Sequence, residues 1–308
     1  MRAALEVLAA GGIIDLGGRG KRRAILRKPG VSEAPRSKFT VLLCRTLEDS
    51  SWSTQALIRH LDRAAEKAGY TISIRHLPGA EESAVRLAEL VAEENADLWV
   101  LVEPSQIVAT WFDASEVRAL ASGGSIVGTS LRSVAYDGAE AVRAAVERLS
   151  ADGHRHLALL NEYRPSLEDE AFAQSIAAKG SDHHGVRLDV SGDSEQLVHS
   201  LRSVYAGSVR PAGLIVIGIR NLVTLVSWMG SEGYRTPSEA SVIFIGSDPL
   251  SAAIHPRPAR FDGKPEHLAR EIALAVEESL QSPVDKFEDR LLKMPFIEGS
   301  TLQPIVGT

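Results

Sequence analysis

Residues 39–74, FTVLLCRTLEDSSWSTQALIRHLDRAAEKAGYTISI, decide the fold. Phe39 to Cys44 is an almost continuous apolar run, the composition of a strand buried on both faces. From Ser53 to Ala68 the apolar positions fall at Ala56, Leu57, Leu61, Ala64 and Ala65, a helical spacing that stops at Gly69. Tyr70 to Ile74 then starts a second strand. A buried strand, an amphipathic helix and another strand require parallel pairing with a helical crossover, which makes the chain α/β.

The same grammar continues. It predicts a helix over Ala80 to Glu94, a strand over Leu98 to Val102, a helix near Ala114 to Ala121 and a fourth strand over Ser125 to Gly128. A helix from Tyr136 to Leu149 closes at Asp152-Gly153 and leads into the strand Leu157 to Leu160. After it come helices at Glu168 to Lys179 and Ser194 to Tyr205 and a strand at Leu214 to Ile217. A helix at Leu222 to Glu232, ending at Gly233, a strand at Val242 to Ile245, a last helix at His267 to Leu280 and a short apolar run at Leu291 to Met294 complete the series. Two rounds of one pattern predict two similar lobes, each a parallel sheet flanked by helices. Lobe 1 is expected over about 39–160 and 262–283, and lobe 2 over about 161–261 and 284–308.

Charge divides the chain differently. The first 38 residues hold nine Lys or Arg against three acids, a surplus of six positive charges in a chain whose total is −6, so the rest carries about −12. A short basic segment on a long acidic body suits a protein that touches a polyanion with one end. The single cysteine, Cys44, lies in an apolar run, forms no internal disulfide and reads as packing in a reducing compartment. Glu6 and Asp15 interrupt any secretion signal, and no run approaches the length of a membrane span, which points to a cytoplasmic protein.

The body resembles the effector-binding region of lactose/galactose repressor (LacI/GalR) regulators, a periplasmic-binding-protein-like fold. Ala68-Gly69-Tyr70 and the strand Ala96 to Val102 follow that family's order. Tyr136-Asp137-Gly138-Ala139, followed by Asp152-Gly153-His154-Arg155-His156-Leu157-Ala158, is similar to its paired D-x-x-G-A and G-H-R-x-I-A signatures, with the same spacing. Pro211 to Ile215, Gly233 to Pro237 and Ser241 to Asp248 resemble its P-T-A-I, G-x-x-V-P and S-V-V-G-F-D series. The likeness spans about Phe39 to Leu302. It implies a regulator, acting as a homodimer, that senses a sugar or sugar derivative between the lobes and couples this to operator DNA. The alternative is the solute-binding protein of a sugar transporter.

The N-terminal segment, 1–29, has its own pattern. Leu5, Leu8, Ala9 and Ile13 form a short apolar helical face ended by Gly11-Gly12. Ile13 to Leu16 and Arg23 to Leu26 predict a two-stranded hairpin with Arg19, Lys21 and Arg22 at its tip. Because Gly20-Lys21 is followed by Arg rather than Ser or Thr, the segment is not a phosphate-binding loop. Arg2 to Ile14 instead resembles the last helix and wing of a GntR-type winged helix, present in part. That resemblance assigns DNA contacts to Arg2, Arg19, Lys21 and Arg22. Residues 30–38, beside Pro29 and including Pro35, read as a linker.

Ligands of open parallel sheets bind beyond the carboxyl ends of the strands. This makes Trp52, placed to stack on a sugar ring, Ser105 after Glu103-Pro104, and Arg220 with Asn221 candidate effector contacts. Glu162 lies in another such loop. The family resemblance adds Arg164 and, in the Gly246-Ser247-Asp248 turn, Asp248. Where relatives carry a carboxylate, Ile219-Arg220-Asn221 offers a cation, which suits an anionic effector unless Arg220 faces solvent or pairs with a local acid. Other prominent residues have plainer readings: Gly153 as a helix stop, Asp137 as an N-cap, His154 and His156 as strand-entry packing and surface residues, and Asp182, His183 and His184 as a polar loop. No metal or cofactor is expected. The sequence has no G-x-S-x-G, no cysteine pair and no His/Asp constellation, so an enzyme is not expected either.

Overall fold

A computed structural model describes residues 37–162, 165–190, 194–281 and 288–305, together with two short strands nearer the N-terminus. The chain divides into two units, Met1–Arg36 and Ser37–Thr308. In the first unit, β1 (Ile14–Asp15) pairs antiparallel with β2 (Ala24–Ile25), placing Ile14 opposite Ile25. This is the pairing that the two apolar runs call for. Arg2, Arg19, Lys21 and Arg22 lie outside the described residues.

The second unit holds two six-stranded sheets. Lobe 1 is built from β3 (Lys38–Leu43), α1 (Trp52–Ala68), β4 (Thr71–His76), α2 (Ala84–Glu94), β5 (Leu98–Val102), α3 (Gln106–Ala114), β6 (Ala119–Ser122) and β7 (Arg132–Tyr136). Lobe 2 follows with α4 (Gly138–Ala151), β8 (His156–Asn161), α5 (Leu167–Ala178), β9 (His184–Asp189), α6 (Ser194–Tyr205), β10 (Gly213–Ile217), α7 (Ile219–Glu232), β11 (Ser241–Ile245) and β12 (Ala259–Phe261). The chain then returns to lobe 1 as α8 (Pro265–Gln281) and β13 (Arg290–Leu292), and ends in lobe 2 with β14 (Phe296–Ile297). The sheet orders are β13-β7-β6-β5-β3-β4 and β14-β12-β11-β10-β8-β9. All ladders are parallel except β12 with β14.

Each sheet is covered on both faces, and this is what its apolar strands demand. Phe39, Val41 and Leu43 of β3 turn to α1 and α8, packing with Leu57, Leu61, Ile272 and Val276. Leu42 of the same strand turns the other way, to Leu87, Trp99, Leu101 and Phe112 beneath α2 and α3. Lobe 2 repeats the arrangement, with α6 and α7 on one face and α4 and α5 on the other. Each fully buried Leu, Ile or Val contributes roughly 1.5–3 kcal/mol. Helix ends follow the sequence signals: Ser51, Ser83, Ser105 and Ser166 cap their helices with side-chain oxygens, Asp137 caps α4, and Gly69 ends α1 at φ 83°.

Three details differ from the sequence reading. The helix expected over 114–121 lies earlier, at Gln106–Ala114, and the fourth strand is Ala119–Ser122, with 125–128 in a turn. Ala119-Leu-Ala-Ser122 has no β-branched residue and reads as helical. Its pairing with β5, Trp99 opposite Ala119, makes it a strand. Strands Arg132–Tyr136, His184–Asp189 and Ala259–Phe261 were not expected at all. The lobe crossing lies at Asp137 rather than near 160, because α4 packs on Leu157, Leu159, Ile215 and Ile243 of the second sheet. Likewise β13 joins the first sheet beside β7, so the last crossing falls near 293–295 rather than 284.

The chain therefore passes between lobes three times, near Asp137, Asp262–Lys264 and Lys293–Pro295. These crossings are tied together. Asp137 N donates to Leu292 O at 2.8 Å, Asp262 N to Pro295 O at 3.0 Å, and the Tyr136 hydroxyl to Lys264 O at 2.8 Å. Among the described residues, no helix is long and apolar enough to cross a membrane.

Candidate functional site

The carboxyl ends of strands from both sheets converge on an interlobe cleft. Its inner part is a cavity of about 200 Å³, with apolar walls from Leu57, Val102, Ile217, Ile245 and Met294. Thr54, Glu103, Ser122, Tyr136, Glu168 and Ser247 supply the polar groups. Its mouth, about 420 Å³, is lined by Arg45, Trp52, Glu162, Arg220, Asn221 and Asp248. The two share Ser53, Glu103, Ile217, Ile245, Gly246 and Ser247, so they adjoin, and a further space beside Glu168 and Gly138 adds Asp137, Arg143 and Glu170.

Glu103 enters from lobe 1, just past β5. Its backbone lies in the left-handed region, φ 49°, where a non-glycine residue is strained. The turn after β6 holds it there: Glu103 N donates to Ser122 O at 3.0 Å and Ser125 N to Pro104 O at 2.8 Å. Gly124 lies so close that a Cβ would come within 2.5 Å of Pro104 N. The Thr54 hydroxyl donates to Glu103 Oε1 at 3.1 Å.

Glu168 enters from lobe 2, on the first turn of α5. Ser166 starts that turn, its Oγ accepting from Asp169 N at 3.1 Å. The Glu168 carboxylate rests against Gly138, where an added Cβ would meet Oε1 at 2.2 Å. Burial pushes the Glu168 carboxyl above the usual carboxylate range; hydrogen bonds from its own backbone and Ser166 oppose this, and the charges of Asp169 and Asp137 add to it. Burial likewise raises the Tyr136 phenol, which covers the crossings from the side of Gly263.

The mouth brings together Trp52, Arg220, Asn221 and Asp248 of the sequence candidates. Trp52, the first residue of α1, is 43% exposed, with a free face to offer. Arg220 pairs with Glu162 at 2.5 Å, and Glu162 also meets Arg45 of lobe 1 at 3.5 Å. Of the readings open for Arg220, the structure shows the local acid. Asn221 is buried and spends its Nδ2 on Ile217 O at 2.8 Å. Asp248 accepts from Leu250 N at 2.8 Å and starts a short 3-10 turn, Pro249–Ala253.

Two candidates stand apart. Ser105 is not among the residues lining the cleft: it caps α3, accepting from Val108 N at 3.3 Å, and its hydroxyl donates to Glu82 at 2.5 Å. Arg164 lies outside the described residues. The sequence reading passed over Thr54, Tyr136 and Glu168. The signal for Glu168 was Ser166-x-x-Asp169 directly after a buried strand, which places a helix N-terminus at a carboxyl end.

Most of the plainer readings of other residues hold, but that of 182–184 as a polar loop does not, since His183 is buried and His184 belongs to a strand. Asp137 accepts from Glu140 N at 2.8 Å, and Gly153 stands at φ 91° past α4. His154 is buried, with Nε2 2.9 Å from Ser241 Oγ and its pKa pushed down by burial. His156 is a strand-entry residue that stacks on His184, centroids 5.1 Å apart; His184 opens strand β9 rather than lying in a loop. Cys44 accepts from Ser105 N at 3.4 Å, and burial pushes its thiol up to about 12. Among the described residues, no group of three or more His, Cys, Asp or Glu is placed to hold a metal ion.

A sequence model of the periplasmic binding protein-like domain matches residues 146–302, just over half of the chain. The chain belongs to that family. No curated protein matches the sequence. Among solved structures, this periplasmic-binding-protein-like chain is similar to the lac repressor dimer bound to operator and the anti-inducer ONPF. The identity is 15%, the cover 88% of this chain and 96% of that one, and the TM-score 0.74. A LacI family transcriptional regulator from Bifidobacterium animalis subsp. lactis shares 19% identity over 87% of this chain and 98% of that one, TM-score 0.67. Another from Enterococcus faecium, with bound ribose, shares 14% over 88% and 100%, TM-score 0.68. At these identities the likeness is one of fold.

Proposed function

We propose that this chain is a cytoplasmic transcriptional regulator whose body binds a small molecule, a sugar or sugar derivative, between its lobes and relays lobe movement through a homodimer to DNA. The observation that carries this reading is the cleft. A cavity with apolar walls and a few converging polar groups sits between two lobes joined by three tied crossings, which is the arrangement that ligand binding closes. A ligand that favours the closed form shifts the population of lobe orientations, and in a dimer this shift alters the spacing of the DNA-contacting segments.

The N-terminal unit takes the DNA role in this reading. Its basic surplus and its paired strands support a winged-helix segment of GntR type, with Arg2, Arg19, Lys21 and Arg22 as phosphate or groove contacts. The same surplus favours a regulator over the solute-binding protein of a transporter. Trp52, Arg220, Asn221 and Asp248 at the mouth, together with Arg164, are the proposed effector contacts.

The test is a thermal-shift screen of the full chain against sugars, sugar phosphates and sugar acids, followed by binding to duplex DNA with and without the hit. A ligand that raises the melting temperature and changes DNA affinity supports the reading; no shift across the panel removes it. With a hit in hand, Asp248→Ala is expected to abolish binding by calorimetry while leaving the circular dichroism spectrum unchanged. Unchanged affinity takes Asp248 out of the site.

A further inference from the structure

We infer that the occupant of the inner cavity is positively charged: a small amine-bearing polyol of the amino-sugar class, its ammonium received between Glu103 of lobe 1 and Glu168 of lobe 2. The inference rests on the reading of the cleft as an effector site and names the chemistry of its ligand.

The charge inventory of the cavity leads there. Among the described residues that line its inner part, Glu103 and Glu168 are the only charged groups, and no Lys, Arg or His joins them. They come from opposite lobes, so closing the empty cleft brings like charges together and strips water from both. A neutral sugar donates hydrogen bonds to a carboxylate but leaves that charge uncompensated. An ammonium removes the penalty and joins the lobes through one group, with three donors for acceptor-only oxygens.

The surroundings agree. Leu57, Val102, Ile217 and Ile245 give the cavity walls suited to the carbon faces of a small ring. At the mouth, Arg45 and Arg220 are both committed to Glu162, and Asp49, Glu103 and Asp248 outnumber what remains. An anionic effector placed at the mouth would have to take both arginines from Glu162. Burial raises the pKa of Glu168, with the charges of Asp169 and Asp137 adding to it, as expected where the nearby charges are also negative.

The experiment is calorimetry on the full chain at pH 7 with matched pairs: glucosamine and glucose, galactosamine and galactose, mannosamine and mannose, 1-amino-1-deoxysorbitol and sorbitol, with glucuronate and galacturonate as anions. At least one amine is expected to bind about tenfold more tightly than its hydroxyl partner, the difference between a charge-assisted and a neutral hydrogen bond. In Glu168→Gln, and independently in Glu103→Gln, that preference is expected to fall below about threefold. A neutral sugar or a uronate that binds as well as the amine overturns the inference and leaves the effector-site reading standing. Silence from every member overturns both. Binding of an amine whose preference survives in both glutamine variants places the ammonium elsewhere and also overturns the inference.

Discussion

The cleft has two regions that treat charge in opposite ways. At the mouth, both cations are already matched: Glu162 satisfies Arg220 within lobe 2 and reaches Arg45 across the gap. In the inner cavity, Glu103 and Glu168 face a space in which no described residue carries a positive charge. At the mouth the two arginines are thus held by a carboxylate before any ligand arrives, although the acids there still outnumber them. The interior has no such pairing, and an unbalanced, partly dry site is where ligand binding yields the largest change in free energy.

The sharpest way to break this comparison is Gly138→Val. Its side chain takes the place of the Glu168 carboxylate, which lies 2.2 Å from the position of a new Cβ. If the interior is the binding region, affinity measured by calorimetry falls by about a hundredfold, the upper end of an overpacking cost, while the α4 packing keeps the fold. Retained affinity would move the ligand out to Trp52 and Asp248.

Glu168 itself gives a second, ligand-free test. Its folded-state pKa is raised from an ordinary 4.5, so between those two values the folded chain holds a proton that the unfolded chain has lost. Its contribution to stability is therefore most favourable below pH 4.5 and declines as pH rises through the folded pKa. Glu168→Gln should remove that decline and raise the melting temperature at pH 7. A lower melting temperature would mean that the carboxylate supports the fold rather than a ligand.

The smallest effect is expected at Arg220, which is already paired with Glu162. Arg220 is more than half exposed, so Arg220→Ala should cost less than about 1 kcal/mol in urea unfolding and change effector affinity less than about threefold. A larger loss of affinity would show that the mouth, not the interior, carries recognition.

What was legible in the sequence follows from locality. Helices announced by a serine or aspartate cap and closed by a glycine, as at Ser51 and Gly69, could be read directly. Strands β5 and β10 could as well, because each is a solid apolar run. Ala119–Ser122 and Arg132–Tyr136 could not, because their strand character lies in their neighbours. The mouth residues were found because they follow obvious strands. Glu168 was hidden for a related reason: its environment is created by Gly138, thirty positions away, on the helix that crosses from lobe 1.

The three crossings also set the order in which a growing chain can finish its parts. Lobe 1 begins first, but its sheet lacks β13, and its core lacks Ala269, Ile272, Ala275 and Val276, until α8 and the strand after it leave the ribosome. Lobe 2 is continuous from Gly138 to Phe261 and takes from beyond that point β14 and the segment after it, where Thr301 bonds to Val242 and Ala259, Gln303 to Ser241 and Ile305 to Asp152. The half that is encoded second thus has all of its helices while the first still waits for its final helix. Any stop codon before about residue 290 would leave a released chain with an unclosed first lobe.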